Sequence, residues 1–549
     1  TPPPRAQATQ LAGAHAAISA LLAVIARQRT GRGQLVEVSV QEAVAATLET
    51  GAISWIHAGT VPGRTSGVYA HVAHRVFRSS DGYVAGGYSG PNRMWDDLLA
   101  WMVEAGEAED LTDDIWSDPV HRWQHRGHVD AVVSAFSRRR PTEELARQGR
   151  SRSLPWAAVA TAADLTDNPQ LAHRNFLMGI ETSDGHVVDV GFPYESPALP
   201  RPVNLAAPQH VADPNQLAWH DRDAPPQQQT EVRGNVRDNR RETLSRRALD
   251  GVRVLDLTWV LAGPYVTRTL ADHGADIIKV ESRHRQDPTR FAPSMRLRPD
   301  AGPDDSGYFL NFNRGKRSLA LNLRTEDGPA LLRQLAAEAD VIVENFSPGT
   351  LAKWGLAWEQ LQEINPRAVL VSMAGVGSAG PWRSAVTFAD TLAAMSGLTH
   401  ETGRDGRPPQ GLTFGLGDMV AANAATLATL EHLVRGEGGH VDLSQLEAMA
   451  AHLGTALIET TMEQATPPDS VGPLTVRAAG EDRWLTVGAT ARPTFTAAVD
   501  AILGDAGPDP VTALTKAAGE TDPDELAASL QEHGVAAYAV RDGRDLVTT

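Results

Sequence analysis

The chain has 549 residues, 42% of them apolar and 21% charged; it is too long for one ordinary core and too apolar for a disordered polypeptide, so two or three soluble domains are expected. A formal net charge of −17 argues against a nucleic-acid partner, and the lack of cysteine removes disulfides, Cys-ligated zinc, iron–sulfur clusters and thiolate catalysis. No secretory segment opens the chain and no run of about 18 apolar residues interrupts it, so export and membrane insertion are not expected and a cytoplasmic location fits.

The opening at Thr1, without Met and inside a Pro-rich run, reads as a fragment or a processed product. An Ala/Leu-rich helical stretch follows and leads into Thr30-Gly-Arg-Gly-Gln-Leu-Val-Glu-Val-Ser-Val-Gln-Glu-Ala43. Here a helix stops at glycine, a short alternating strand follows, and a new helix starts after Ser39, with Glu42 placed to complete a capping box. Trp95, Trp101, Trp116 and Trp123 are expected to pack helices, and Arg138-Arg-Arg140 to form a solvated face. Leu154-Pro-Trp-Ala-Ala-Val159 with Ala163-Asp-Leu165 is a further segment that is echoed later in the chain. From Ala207 to Arg247 the chain is polar and rich in Pro, Gln, Asn and Arg, the composition of a linker.

Strands then alternate with helices. Gly251–Leu257, Ala275–Glu281, Leu319–Leu323, Asp340–Glu344 and Ala368–Ser372 read as buried strands, with helices over Tyr265–His273 and Gly328–Glu338. That alternation predicts an α/β fold with a doubly wound, Rossmann-like parallel sheet, joined to smaller α+β domains, and ligands beyond the carboxyl ends of the strands. Further on, Arg435-Gly-Glu-Gly-Gly-His-Val-Asp-Leu-Ser-Gln-Leu-Glu-Ala448 repeats the junction at Thr30–Ala43, with Ser444 and Glu447 in the capping positions. Ala536–Val540 with Arg544-Asp-Leu546 echoes the stretch at Leu154. Two matched junctions in the same order make the chain a tandem of one architectural unit.

The β-α-β ending in Glu281 invites a dinucleotide reading, but Trp259-Val-Leu-Ala-Gly-Pro264 holds one glycine where the fingerprint asks for three. Of only four lysines, Lys279, Lys316 and Lys353 fall in one stretch. They are either reserved for an anionic ligand or clustered by chance in an arginine-biased protein. Histidines show no metal spacing, and no metal site is expected.

Val254-Leu-Asp-Leu-Thr-Trp-Val-Leu-Ala-Gly-Pro264 and Leu270-Ala-Asp-His-Gly-Ala-Asp-Ile-Ile-Lys-Val-Glu281, then Asn313-Arg-Gly-Lys-Arg-Ser318, Val343-Glu-Asn-Phe-Ser-Pro-Gly349 and Met395-Ser-Gly397, resemble the class III CoA-transferase family, which includes formyl-CoA and carnitine CoA-transferases and the 2-methylacyl-CoA racemases. The resemblance covers all but the linker. It implies a first unit in residues 1–206, the linker at 207–247, a CoA-binding sheet domain at 248–400 and a catalytic helix with C-terminal portion at 401–549. It places the nucleophile at Asp418, in Gly415-Leu-Gly-Asp418-Met-Val-Ala421. A helix start, with its free N–H groups and positive dipole end, is expected to keep that carboxylate ionised. The implied reaction moves CoA from an acyl-CoA thioester to a carboxylic acid through an aspartyl anhydride and an aspartyl-CoA thioester. Coenzyme A is then a substrate, and no tightly bound cofactor is expected.

Carried over residue by residue, the CoA contacts fall on Trp259, Val260, Ala262, Leu321, Arg324, Asn345 and Phe346, with Lys353 in a phosphate-binding position. A basic residue that follows the second strand in many members is displaced, with Ser282 nearest and Arg283 next. In the first copy the nucleophile position is Thr9, which makes that copy silent, and the helix between Asp418 and Gly436 is one turn short. The racemase branch places a His-Asp pair where this chain has Phe388-Ala389, which removes one of the two bases that α-proton exchange needs. The family's interlocked dimers imply a homodimer, or a pseudo-dimer completed by a missing portion of the chain. A non-catalytic CoA-binding or assembly subunit, and a racemase or lyase of the same superfamily, are the competing readings.

Overall fold

The computed structural model describes residues 5–63, 72–88, 92–182, 185–201, 204–206, 247–291, 300–403, 406–412, 414–461 and 470–548. Residues 207–246, nearly all of the expected linker, lie outside this set. Helices α1 (Gln7–Thr30), α2 (Val40–Thr47) and α3 (Gly51–Ala58) open the chain, and the short strand β1 (Tyr194–Glu195) comes late in its first half. The second half supplies β2 (Arg253–Asp256), α4 (Ala262–Asp272), β3 (Asp276–Glu281), α5 (Gly307–Asn313), β4 (Arg317–Ala320), α6 (Asp327–Glu338), β5 (Val341–Glu344), β6 (Val369–Ala374), α7 (Ala389–Met395), α8 (Leu416–Arg435), β7 (Gly439–Ser444) and α9 (Gln445–Ala450).

The β strands form one seven-stranded sheet in the order β4-β3-β2-β5-β6-β7-β1. All pairings are parallel except the last, where β1 lies antiparallel to β7. Near-continuous Val/Ile/Leu runs make this possible: every residue of β5 and β6 is buried, as expected of strands covered on both faces. The doubly wound expectation holds, with an addition. The sheet's edge strand comes from the other half of the chain.

Helices α1 and α8 join the same core. Leu11, Ile18, Leu22 and Ile25 of α1 are buried with Leu416, Met419, Val420, Ala425 and Ala428 of α8. By length and composition α1 is long and apolar enough to cross a bilayer, a helix the apolar-run reading missed; its apolar stripe packs as a core helix does. The two helices have 24 and 20 residues, the one-turn difference read from sequence. Two three-stranded antiparallel sheets with the same strand order flank this core, one from Arg75–Arg78, Tyr83–Gly86 and Ala157–Ala158, the other from Val471–Arg477, Trp484–Ala489 and Ala536–Ala539. The echoing stretches at Leu154 and Ala536 are their third strands.

Several local expectations are corrected. Residues 32–39 pair with no strand among the described residues, and Leu35 is 93% exposed, whereas the matching β7 is hydrogen-bonded to β6 and β1. Alternation alone makes no strand without a neighbour. Ser39 and Ser444 cap α2 and α9 by accepting from Glu42 N and Glu447 N at 3.3 Å. Glu447, however, turns to Arg174 and Arg201 of the first half. Trp95, Trp101 and Trp116 are buried but Trp123 is 44% exposed, beneath Arg126. Arg140, placed on a solvated face by sequence, is largely covered and pairs with Glu107.

Arg174 ties the halves together. Its guanidinium, fully buried, reaches Asp442 of β7 at 2.8 Å and Glu447 of α9 at 2.5 Å. Removing one partner of a buried ion cluster strands the others in a desolvated site. Arg174→Met is expected to cost about 3–5 kcal/mol, read as a lowered midpoint in urea unfolding; an unchanged midpoint would show that the cluster does not hold the halves together.

Candidate active site

The loop between β2 and α4 passes beyond the carboxyl end of the sheet and is pinned from three sides. Asp256, at the end of β2, accepts from Thr258 N (2.9 Å), Thr267 Oγ1 (2.8 Å) and Lys316 Nζ (2.9 Å). Burial works against its charge, but Lys316 and Lys279 outweigh that and hold its pKa at about 2. Burial lowers the Lys316 ammonium to about 8 against the pull of Asp256. Lys279 Nζ donates to Thr258 O (2.7 Å) and contacts Asp287, whose Oδ2 accepts the Val260 N–H at 3.2 Å. Asn345 closes the third side, accepting Trp259 N–H at 2.9 Å and donating to Trp259 O at 2.8 Å. Lys279 and Lys316 are therefore buried structural cations, not a reserve for an anionic ligand.

This bracing holds Val260 at φ 65°, a left-handed conformation that a β-branched residue rarely adopts. Its side chain is 41% exposed. At Gly263 a Cβ would lie 2.3 Å from Thr258, so only glycine lets α4 start this close to the strand end.

The other expected CoA positions stand along the same edge: Arg283 after β3, Leu321 and Arg324 after β4, Asn345 and Phe346 after β5, and Lys353 in a short turn at Leu351–Trp354. Phe346 sits edge-on between Trp259 and Trp354, and Arg285 covers the Trp259 ring at 4.8 Å. Arg283, Arg324 and Lys353 are exposed.

Asp418 is the third residue of α8, and its carboxylate accepts the N–H of Ala262, the first residue of α4. Two helix N-termini thus converge on one acid, which favours its ionised form. They do not prevail. Asp418 keeps partial solvent contact, yet burial first and the nearby Glu49 second push its pKa up to about 7. Sequence read it as an ionised helix-start residue; the structure makes it an acid that titrates near neutrality.

Glu49 was not legible as a site residue. It lies in the break between α2 and α3, and its Oε2 accepts the Gly415 N–H at 3.0 Å. The Tyr308 hydroxyl of α5 donates to the same carboxyl group. Burial raises the Glu49 pKa, and burial, Glu49 and Asp418 together hold the Tyr308 phenol well above its usual range. A Cβ on Gly415 would lie 2.5 Å from Glu49 Oε2 and 3.2 Å from Asp418 Oδ2. Since φ at Gly415 is −73°, space and not backbone freedom excludes a side chain there.

One sequence signal for Glu49 existed: it stands ten residues after Ser39, and its counterpart ten after Ser444 is Gly454. Around Gly454 the corner is filled. Gln10 Nε2 approaches it, and Arg5 binds Glu401 at 2.7 Å and Glu459 at 2.8 Å. Thr9, the position read as the silent nucleophile, is exposed on α1.

Asp418 keeps in the native state, from about pH 4 to about pH 7, a proton that the unfolded chain releases. Native stability therefore falls as pH rises through that window, and the penalty is complete above it. Asp418→Asn should raise the unfolding temperature at pH 8 and change it little at pH 4; a gain independent of pH would contradict this electrostatic account.

The sequence model of the family described as CoA-transferase family III matches residues 6–213 and 249–549. Over 328 residues the chain is 31% identical to a succinyl-CoA–D-citramalate CoA-transferase of Chloroflexus aurantiacus, covering 55% of this chain and 80% of that protein. It is 38% identical over 210 residues to a succinate–glutarate CoA-transferase of Agrobacterium fabrum, covering 37% of this chain and 52% of that protein. With a probable CoA-transferase of Mycobacterium tuberculosis it shares 27% identity over 517 residues, covering 88% of this chain and 61% of that protein. The chain thus spans about half the length of the second relative and three-fifths of the third.

Proposed function

Because the chain belongs to CoA-transferase family III, we propose that it moves coenzyme A between an acyl-CoA thioester and a carboxylic acid, with Asp418 as the covalent nucleophile. The observation that carries this reading is the Asp418 carboxyl itself, reached by solvent, met by the N-termini of α4 and α8, and adjoining the braced loop at the carboxyl edge of the sheet.

An oxygen of ionised Asp418 attacks the thioester carbonyl, the C–S bond breaks, and an aspartyl–acyl anhydride and CoA thiolate result. The thiolate attacks the aspartyl carbonyl, releasing the donor's carboxylate and leaving an aspartyl-CoA thioester. The acceptor carboxylate displaces CoA to form a second anhydride, and thiolate attack on its acyl carbon yields the new acyl-CoA and restores Asp418. The cycle consumes no net proton. A carboxylate that titrates near 7 is more basic, and so more nucleophilic, than an ordinary aspartate. The rate of covalent attack rises with pH through that value.

Trp259, Val260 and Ala262, with Asn345, Phe346 and Leu321, supply the wall along which the pantetheine arm and adenine lie. Exposed Arg283, Arg324 and Lys353, without among the described residues the internal pairing that occupies Lys279 and Lys316, meet the phosphates. Two of the three relatives are named for succinyl-CoA and D-citramalate and for succinate and glutarate, which supports dicarboxylic acids as the acceptor class. The two matched stretches of the family model support a tandem reading, in which the first half acts as the structural partner of the second. The racemase reading finds no base at Phe388-Ala389.

Incubation with a panel of CoA esters that includes succinyl-CoA, followed by hydroxylamine, should place a mass change on Asp418. Asp418→Asn should lower CoA transfer to dicarboxylates at least about a thousandfold, as loss of a covalent nucleophile does. Transfer at the normal rate by this variant sinks the assignment.

A further inference from the structure

Glu49 reaches the site from the half of the chain that does not carry Asp418, and the anhydride route has no step that uses it. Its neighbours are the Gly415 N–H and Asp418 from the start of α8 and the Tyr308 hydroxyl from α5. Asp287 acts on Tyr308 from behind, and His57 of α3 packs on Gly307 beside it. None of these groups is a lysine or arginine. Asp256 with Lys316 and Glu447 with Arg174 are carboxylates buried beside a cation, whereas Glu344 is buried with, among the described residues, only the Ser372 hydroxyl and the Phe346 N–H. Two acids at one glycine, with no cation between them among the described residues, cost stability, so packing alone gives no reason for the arrangement.

Resting on the transferase reading of Asp418, we propose that Glu49 is a positioning residue for the nucleophile, and that through the shared Gly415 turn it sets, from the opposite half of the chain, the charge against which the Asp418 carboxylate works. Gly415 fixes the distance: its N–H holds the Glu49 carboxyl in place, and its lack of a side chain leaves both carboxyl groups on one side of the turn. Negative charge on Glu49 makes the Asp418 carboxylate more basic. The same charge therefore sharpens the attack on a thioester carbon and moves the onset of that attack to higher pH.

The test is a comparison of wild-type protein, Glu49→Gln and Asp418→Asn with succinyl-CoA as the probe. The covalent Asp418 adduct is followed by rapid acid quench and intact-mass measurement from pH 5 to pH 9. Replacing Glu49 by its uncharged isostere lowers the proton affinity of Asp418, so the pH of half-maximal adduct formation should fall by about one unit. The plateau rate at high pH should also fall several-fold. A purely structural role lowers the plateau and leaves the midpoint where it was, and that result overturns the proposal.

A substrate-free measurement stands beside it. The stability that Asp418→Asn gains at pH 8 should shrink in a Glu49→Gln background, the signature of two coupled acids in a double-mutant cycle. Equal gains in both backgrounds also overturn the proposal. Adduct formation by Asp418→Asn, or no adduct in wild-type protein, counts against the transferase reading and not against the coupling, which the stability cycle decides independently.

Discussion

Gly415 is where the two halves of the chain meet chemically. Its N–H holds Glu49 of the first half, its missing side chain leaves room for Asp418 of the second, and the corner they form contains two acids and, among the described residues, no matching base. The rest of the structure can be understood as the support this contact requires. Helix α8 must be buried enough to fix its first turn, which the shared core with α1 achieves. Helix α4 must begin within hydrogen-bonding distance of Asp418, which Gly263 permits. The break between α2 and α3 must dock on the second half, and the Arg174 cluster and the β1–β7 pairing hold the halves in that relation.

The protein's few lysines show how differently the same charge can be used. Lys279 and Lys316 are consumed in bracing the β2–α4 loop, where each answers a buried aspartate and a backbone carbonyl. Because these pairs are satisfied, the loop holds Val260 in a conformation that the residue itself disfavours. Such a loop keeps its shape whether or not a ligand is present, the condition for aiming backbone groups at a thioester. Cations available to a ligand are those left at the exposed strand ends.

The fold was largely legible because its signals are local. Val/Ile/Leu runs bounded by turns give the parallel strands, and the Gly31 and Gly436 junctions give the helix ends and the repeat. The reading of Asp418 as a nucleophile rests on the resemblance, since an acid near a helix start is by itself a capping pattern. What sequence missed depends on contacts across several hundred residues. Glu49 lies 366 positions from the Gly415 N–H it accepts. Tyr308 carries no mark of its own in the chain. The protonation of Asp418 was misjudged for the same reason: the helix dipole can be read from one segment, whereas the opposing carboxylate and the loss of water belong to the assembled corner. For Lys279 and Lys316 the sequence left two readings open, because clustering along the chain said nothing about the aspartates waiting in the fold.

The two repeats also show what keeping an unmatched pair of acids costs. At Gly454, the counterpart of Glu49, the acid is gone, Gln10 approaches the turn, and Arg5 is paired with Glu401 and Glu459. Both carboxylates there share the Arg5 guanidinium. At Gly415 the charges remain unmatched, and the surrounding structure carries the cost through a buried Arg174 cluster and a shared helical core. A chain under pressure only to be stable would resolve both corners in the same way. That one is paired and the other left unmatched distinguishes the two halves of this fold: the first half lends the second the Glu49 carboxyl that faces Asp418 across Gly415.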